Sequence, residues 1–167
     1  MQLHWLTPRL ALSGCVRHYH DMRQVSEAGV THIIAFFSDD DRCWETDPRA
    51  ELDWVTDFHI TVYRIPRADD ARPWETELIA GALRFAAEAL RDPKAKLLVH
   101  CMAGVCRSPV MAYGVLRHVF GMDSDAARQL IEPLLAPDRI RLHEVYQASM
   151  DKYLEAPPVA TAESADA

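Results

Sequence analysis

Short apolar runs alternate with amphipathic stretches along this chain of 167 residues. The run at 10–15, closed by Ser13 and Gly14, predicts a strand. Residues 30–37, VTHIIAFF, are β-branched and aromatic and predict a buried strand. Residues 59–65 predict another. The run KLLVH at 96–100 has no polar break, the pattern of a central strand covered on both faces. Helical spacing marks 21–28, which stops at Gly29. It is clearest over 75–91, where Leu78, Ile79, Ala82, Leu83, Ala86, Ala87 and Leu90 form one apolar stripe. Residues 108–120 read as a helix with Ser108 as cap, Pro109 at its first position, Gly121 beyond its end, and Met111, Val115 and Val119 on its buried face. Two more helices are predicted at 123–135 and 142–154. The acidic stretch 38–47 predicts an exposed loop, and Asp47 with Pro48 starts a short helix through Trp54. Two prolines and adjacent Asp69 and Asp70 make 64–73 a loop. Strands alternate with helices early and helices dominate late. The expected class is α/β, a small, mostly parallel central sheet flanked by helices.

The length fits one domain, placed at 1–155. The small, polar, proline-bearing segment 156–167 predicts a disordered tail. Apolar residues at 49% and charged residues at 26% exclude global disorder. A net charge of −7 argues against nucleic acid or an anionic membrane surface as partner, since both need a basic footprint. No apolar run is long enough for a membrane span. MQLHWLTPRLAL lacks a basic start followed by an apolar core, so no secretory leader is expected. The cysteines are Cys15, Cys43, Cys101 and Cys106, too few and too irregular for a disulfide framework, with no CxxC pair for zinc. The expectation is a cytoplasmic protein with free thiols. His18 and His20 have no carboxylate or cysteine partner in the pattern and read as surface residues. Trp5, Trp44 and Trp54 read as packing residues.

The informative segment joins the run at 96–100 to the helix at 108–120. It reads His100-Cys101-Met102-Ala103-Gly104-Val105-Cys106-Arg107-Ser108. Backbone N–H groups of a strand-to-helix loop, with those at the helix start, form a concave anion site. The helix dipole adds roughly half a positive charge there. Gly104 permits a turn that a Cβ would obstruct. The Arg107 guanidinium matches two phosphate oxygens. Cys101, at the base of this cup, sees the same field, which favours the ionised, nucleophilic sulfur. The competing reading is a buried core cysteine beside a glycine turn.

The run HCxxGxxRS resembles the signature loop of the cysteine-dependent protein tyrosine phosphatase superfamily. The order of elements looks most like the dual-specificity branch, over residues 7–154. The resemblance implies that Cys101 attacks phosphorus to form a phosphocysteine. It implies that Arg107 and the amides of Met102, Ala103, Gly104, Val105, Cys106 and Arg107 stabilise the equatorial oxygens. Ser108 is either a donor to the departing sulfur or a plain helix cap. His100 either holds the loop from behind or is a satisfied core group. The family carries an acid aspartate roughly thirty residues before the cysteine. Asp69 lies 32 positions before Cys101 and is the expected acid, with Asp70 as the alternative.

Cys106 gives the local spelling Cys-x4-Cys-Arg-Ser, similar to the low-molecular-weight phosphatases, whose loop lies instead near the N-terminus. It is either an apolar filler or a reversible disulfide partner that protects Cys101. No further cation lies between Cys101 and Arg107, whereas inositol-lipid phosphatases tend to be basic there. One phosphate on an apolar-bodied group is the expected substrate, foremost phosphotyrosine, with phosphoserine or phosphothreonine fitting if the pocket is shallow, from a phosphorylated protein or a small phosphoester. Trp74 either lines the entrance or packs the loop onto the body. No metal or cofactor is implied, and the oligomeric state is left open. The alternatives are a non-catalytic phosphate-binding module and a phosphatase acting on a non-protein phosphoester.

Overall fold

A computed structural model describes residues 1–38, 50–135 and 142–156, with the backbone alone at 50–52. Along the described chain the order is β1 (His4–Thr7), β2 (Leu10–Ser13), α1 (Tyr19–Glu27), β3 (His32–Phe36), α2 (Ala50–Asp57), β4 (Thr61–Ile65), α3 (Thr76–Ala89), β5 (Leu97–His100), α4 (Arg107–His118), α5 (Ser124–Ile131) and α6 (Glu144–Glu155). The sheet runs β1-β2-β5-β3-β4. Strands β2, β5, β3 and β4 are mutually parallel, and β1 alone is antiparallel, on β2. The α/β class and the mostly parallel sheet are those the pattern predicts.

The period of two along each strand sorts its side chains into two cores. Leu10, Leu12, Ile34, Phe36, Leu97 and Val99 face the larger one, with Ile79 and Leu83 of α3, Leu116 of α4, Ile131 of α5 and Met150 of α6. Ala11, Ile33, Ala35 and Leu98 face the smaller one, with Met22 and Val25 of α1 and Val55 of α2. Helix α4 is buried from Arg107 through Leu116 and lies at the centre of the larger core. Packing rather than propensity holds it. Gly114 costs a helix about 1 kcal/mol relative to alanine, but each fully buried Val, Leu or Met contributes roughly 1.5–3 kcal/mol. Gly114 also admits α6, since a Cβ there would stand 2.5 Å from Met150 Cε.

Three elements differ from the pattern. Strand β1 is not predicted, because an edge strand with one buried residue, Leu6, carries no alternation to read. Helix α5 stops at Ile131 and tightens into a 3-10 turn at Glu132–Leu134. Pro133 has no N–H to give to the carbonyl four residues back, so the α-helical ladder is broken there and does not run on to 135. Helix α4 begins at Arg107 with Cys106 as its cap, so Ser108 lies inside the first turn and is not the cap. Trp5 is 40% exposed and is not a packing residue; the Lys96 ammonium sits 5.1 Å from its ring centre. The expected loop beyond Ser38, Cys43, Trp44, the helix start at Asp47 and Pro48, and the tail beyond Ala156 lie outside the described residues. Among the described residues no helix is long and apolar enough to cross a membrane.

Candidate active site

Strands β2, β5, β3 and β4 are parallel, so all four end at one edge of the sheet, where α/β folds place their ligand crevice. Central β5 delivers Cys101 there. The neighbouring strand ends are stitched together by their backbones. Cys15 N–H, after β2, donates to Met102 O at 3.0 Å, and Phe37 N–H, after β3, donates to Ile65 O at 3.0 Å. Met102 completes a small apolar contact with Cys15 and Phe37.

The loop from Cys101 to Cys106 folds back over its own cysteine. Gly104 N–H donates to Cys101 Sγ at 3.3 Å, and Ser108 Oγ donates to the same sulfur at 3.2 Å. Gly104 has φ +75, and a Cβ on it would lie 2.9 Å from the backbone of Ser13 and Gly14. Only glycine both takes that dihedral freely and lets the loop close on the β2 turn. Cys101 is 2% exposed, at the foot of α4, where the helix dipole adds positive potential. His100 is wholly buried at the end of β5, paired between Ser13 and Ala35. Met102 and Val105 are half-buried and Ala103 is exposed, so the loop shows an apolar surface. Cys106 is buried like Cys15 and Cys101, and no disulfide is formed among these three described cysteines.

Arg107 opens α4 and is 1% exposed. Its Nη1 donates to Arg67 O at 2.6 Å, which joins the cysteine loop to the segment after β4. That segment treats its two aspartates differently. Asp70 is engaged within the loop: Arg72 N–H donates to it at 3.2 Å, and Arg67 and Arg72 pair with it at 3.6 and 3.7 Å. Asp69 instead reaches α6, accepting from the Tyr146 hydroxyl at 2.8 Å. Tyr146 O in turn accepts from Ala71 N–H at 3.0 Å. Burial first, then the bond to Asp69, pushes the Tyr146 phenol up to about 12.

The Tyr146 ring is wholly buried in a column of four. His143 stacks on it at 4.3 Å, Trp74 stacks on it at 5.0 Å, and Phe36 on Trp74 at 5.1 Å. Trp74 is 5% exposed, so it packs the loop onto the body and does not line an entrance. Among the described residues no cluster of His, Cys, Asp or Glu is placed to hold a metal ion.

No sequence family model matches the chain, and no curated protein matches it in sequence. Solved structures do match it. Tk-PTP in its active form aligns with a TM-score of 0.71 at 21% identity, over 92% of this chain and 95% of that one. PTPMT1 in complex with PI(5)P aligns at 0.72 and 16% identity, over 91% and 94%. A human tyrosine phosphatase-like serine/threonine/tyrosine-interacting protein aligns at 0.68 and 16%, over 90% and 94%. The chain has the protein tyrosine phosphatase fold. Its neighbours in that fold are protein tyrosine and dual-specificity phosphatase family members. At these identities the shared property is the architecture.

Within this phosphatase fold the segment 100–108 brings Cys101, Gly104 and Ser108 around one sulfur, and Arg107 links it to the Asp69 loop. Sequence reasoning missed Tyr146, Ser149, the Arg67 carbonyl and the turn after β2. Tyr146 carried one weak signal, since a buried tyrosine hydroxyl normally finds a polar partner. The others carried none.

Proposed function

We propose that this chain is a cysteine-dependent phosphatase that hydrolyses phosphotyrosine, and with it phosphoserine and phosphothreonine, through a phosphocysteine intermediate. The paired donation from Gly104 N–H and Ser108 O–H to the Cys101 sulfur supports the reading most directly. Both donors face the atom that attacks phosphorus, and they offset the charge that returns to the sulfur when it leaves in the second step. The substrate's phosphate lies against the backbone N–H groups of 102–107 and the Arg107 guanidinium. Cys101 Sγ attacks in line. The S–P bond forms as the bond to the leaving oxygen breaks, and that oxygen takes a proton from Asp69. Arg107 and the loop amides offset the charge on the equatorial oxygens. Water then attacks phosphorus and gives its proton to Asp69. The P–S bond breaks, and the electron pair returns to the Cys101 sulfur, where Ser108 donates to it. The products are the alcohol or phenol and inorganic phosphate. His100, wholly buried and paired between β2 and β3, holds the strand end that carries the nucleophile.

Residues 1–155 form the catalytic domain in this reading, with 156–167 as its tail. Three cysteines without a disulfide suit a reducing compartment, and on that ground we place the protein in the cytoplasm. The apolar loop surface of Met102, Ala103 and Val105 favours a singly phosphorylated, apolar-bodied group over a multiply charged one. Hydrolysis of p-nitrophenyl phosphate by the wild type and by Cys101→Ser tests the chemistry. The reading predicts vanadate-sensitive turnover that the serine variant loses. Tight oxyanion binding without turnover would make the chain a phosphate-binding module. A panel of phosphopeptides and phosphoinositides tests the substrate, with phosphotyrosine peptides expected to be preferred.

A further inference from the structure

Building on the phosphatase reading, we propose that Tyr146 is a positioning residue for the general acid: its hydroxyl fixes the Asp69 carboxyl so that Oδ1 is committed as an acceptor and Oδ2 carries the catalytic proton. The direction of the bonds follows from counting hydrogens. A phenol has one proton to donate. Ala71 N–H points at the Tyr146 oxygen, so that oxygen accepts there, and its single proton goes to Asp69 Oδ1. Burial and the carboxylate keep the phenol protonated up to about 12, so it remains a donor at any working pH.

The hydroxyl is itself held in place. Tyr146 is wholly buried and stacked against the rings of both His143 and Trp74. Ala71, which donates to it, has φ 54, a left-handed backbone that a residue with a Cβ keeps only where its surroundings enforce it. The far end of the loop is tied to the same helix, since Trp74 N–H donates to Ser149 Oγ at 3.0 Å. The near end is tied to the cysteine loop through Arg67 O and Arg107. One face of α6 therefore holds the acid loop against the cup. Asp70, held by Arg67 and Arg72, is not oriented by α6.

Tyr146→Phe tests this, because it keeps the stacked ring and removes only the hydroxyl. The readout is how kcat depends on the leaving group, with KM as control. We expect a fall of roughly 10-fold or more on phenyl phosphate, whose departing oxygen needs the proton. On dinitrophenyl phosphate, which leaves without one, the change should stay below about 3-fold, with KM steady on both. In an Asp69→Asn background the second substitution should cost nothing further on phenyl phosphate. Equal losses on both esters, independent additive losses in the double variant, or faster turnover of phenyl phosphate would each overturn the proposal. A wild type without Cys101-dependent hydrolysis of either ester would instead overturn the phosphatase reading beneath it.

Discussion

The Ser108 hydroxyl donates to the Cys101 sulfur at 3.2 Å, from the first turn of α4 to the end of β5. Helix-start serines usually turn their oxygen onto the backbone as caps. Here the cap position belongs to Cys106, and the serine, two positions after it and wholly buried, is left to face the sulfur. A hydrogen bond to a charged group is worth about 1.5–3 kcal/mol. Ser108→Ala should therefore slow breakdown of the phosphoenzyme by roughly 10–100-fold while leaving its formation less affected. Stopped-flow hydrolysis of p-nitrophenyl phosphate checks this: a burst of nitrophenol should become visible, and a uniform slowing without a burst would contradict it.

Gly104→Ala meets two obstacles together, a φ of +75 and backbone atoms 2.9 Å from the new Cβ. The left-handed backbone alone costs about 1–2 kcal/mol. The loop must also move off Ser13 and Gly14, which takes the Gly104 N–H away from the sulfur. We expect activity to fall by more than about 100-fold, with weakened vanadate binding. Unchanged vanadate affinity in this variant would show that the loop closes without the glycine.

The chain start offers a stability test away from the site. Burial alone would raise the Asp21 carboxyl. Hydrogen bonds from the Met1 ammonium, at 3.0 Å, and from Arg17 and His18 N–H outweigh it and hold the group below its ordinary 3.8. A carboxyl lowered in the folded state contributes stability in full above its unfolded value. That contribution is lost as pH falls from about 4 towards the folded value. Asp21→Asn should lower Tm at neutral pH and flatten the fall of Tm in acid. Parallel Tm curves for the two proteins would rule this out.

The cysteine loop was legible because its parts are contiguous. Cys101, Gly104, Arg107 and Ser108 lie within eight residues, and a strand-to-helix turn brings them together without help from elsewhere. The acid loop was half legible. Its place after a strand showed in the pattern, but what separates Asp69 from Asp70 is a tyrosine 77 positions away. Pairs that distant leave no local periodicity, and Tyr146 reads simply as one more buried residue of a helix. Strand β1 was hidden for a different reason, since only Leu6 of its four residues is buried. The Ser108 role turned on a shift of the helix start, the least legible feature of any element.

The central claim is that Cys101 becomes covalently phosphorylated during turnover. Rapid acid quenching with a radiolabelled aryl phosphate, followed by peptide mapping, measures it directly. Label on the peptide containing Cys101, approaching one phosphate per chain and absent when Cys101 is replaced by alanine, is the predicted result. Label on another residue, or undiminished hydrolysis by Cys101→Ala, would contradict it.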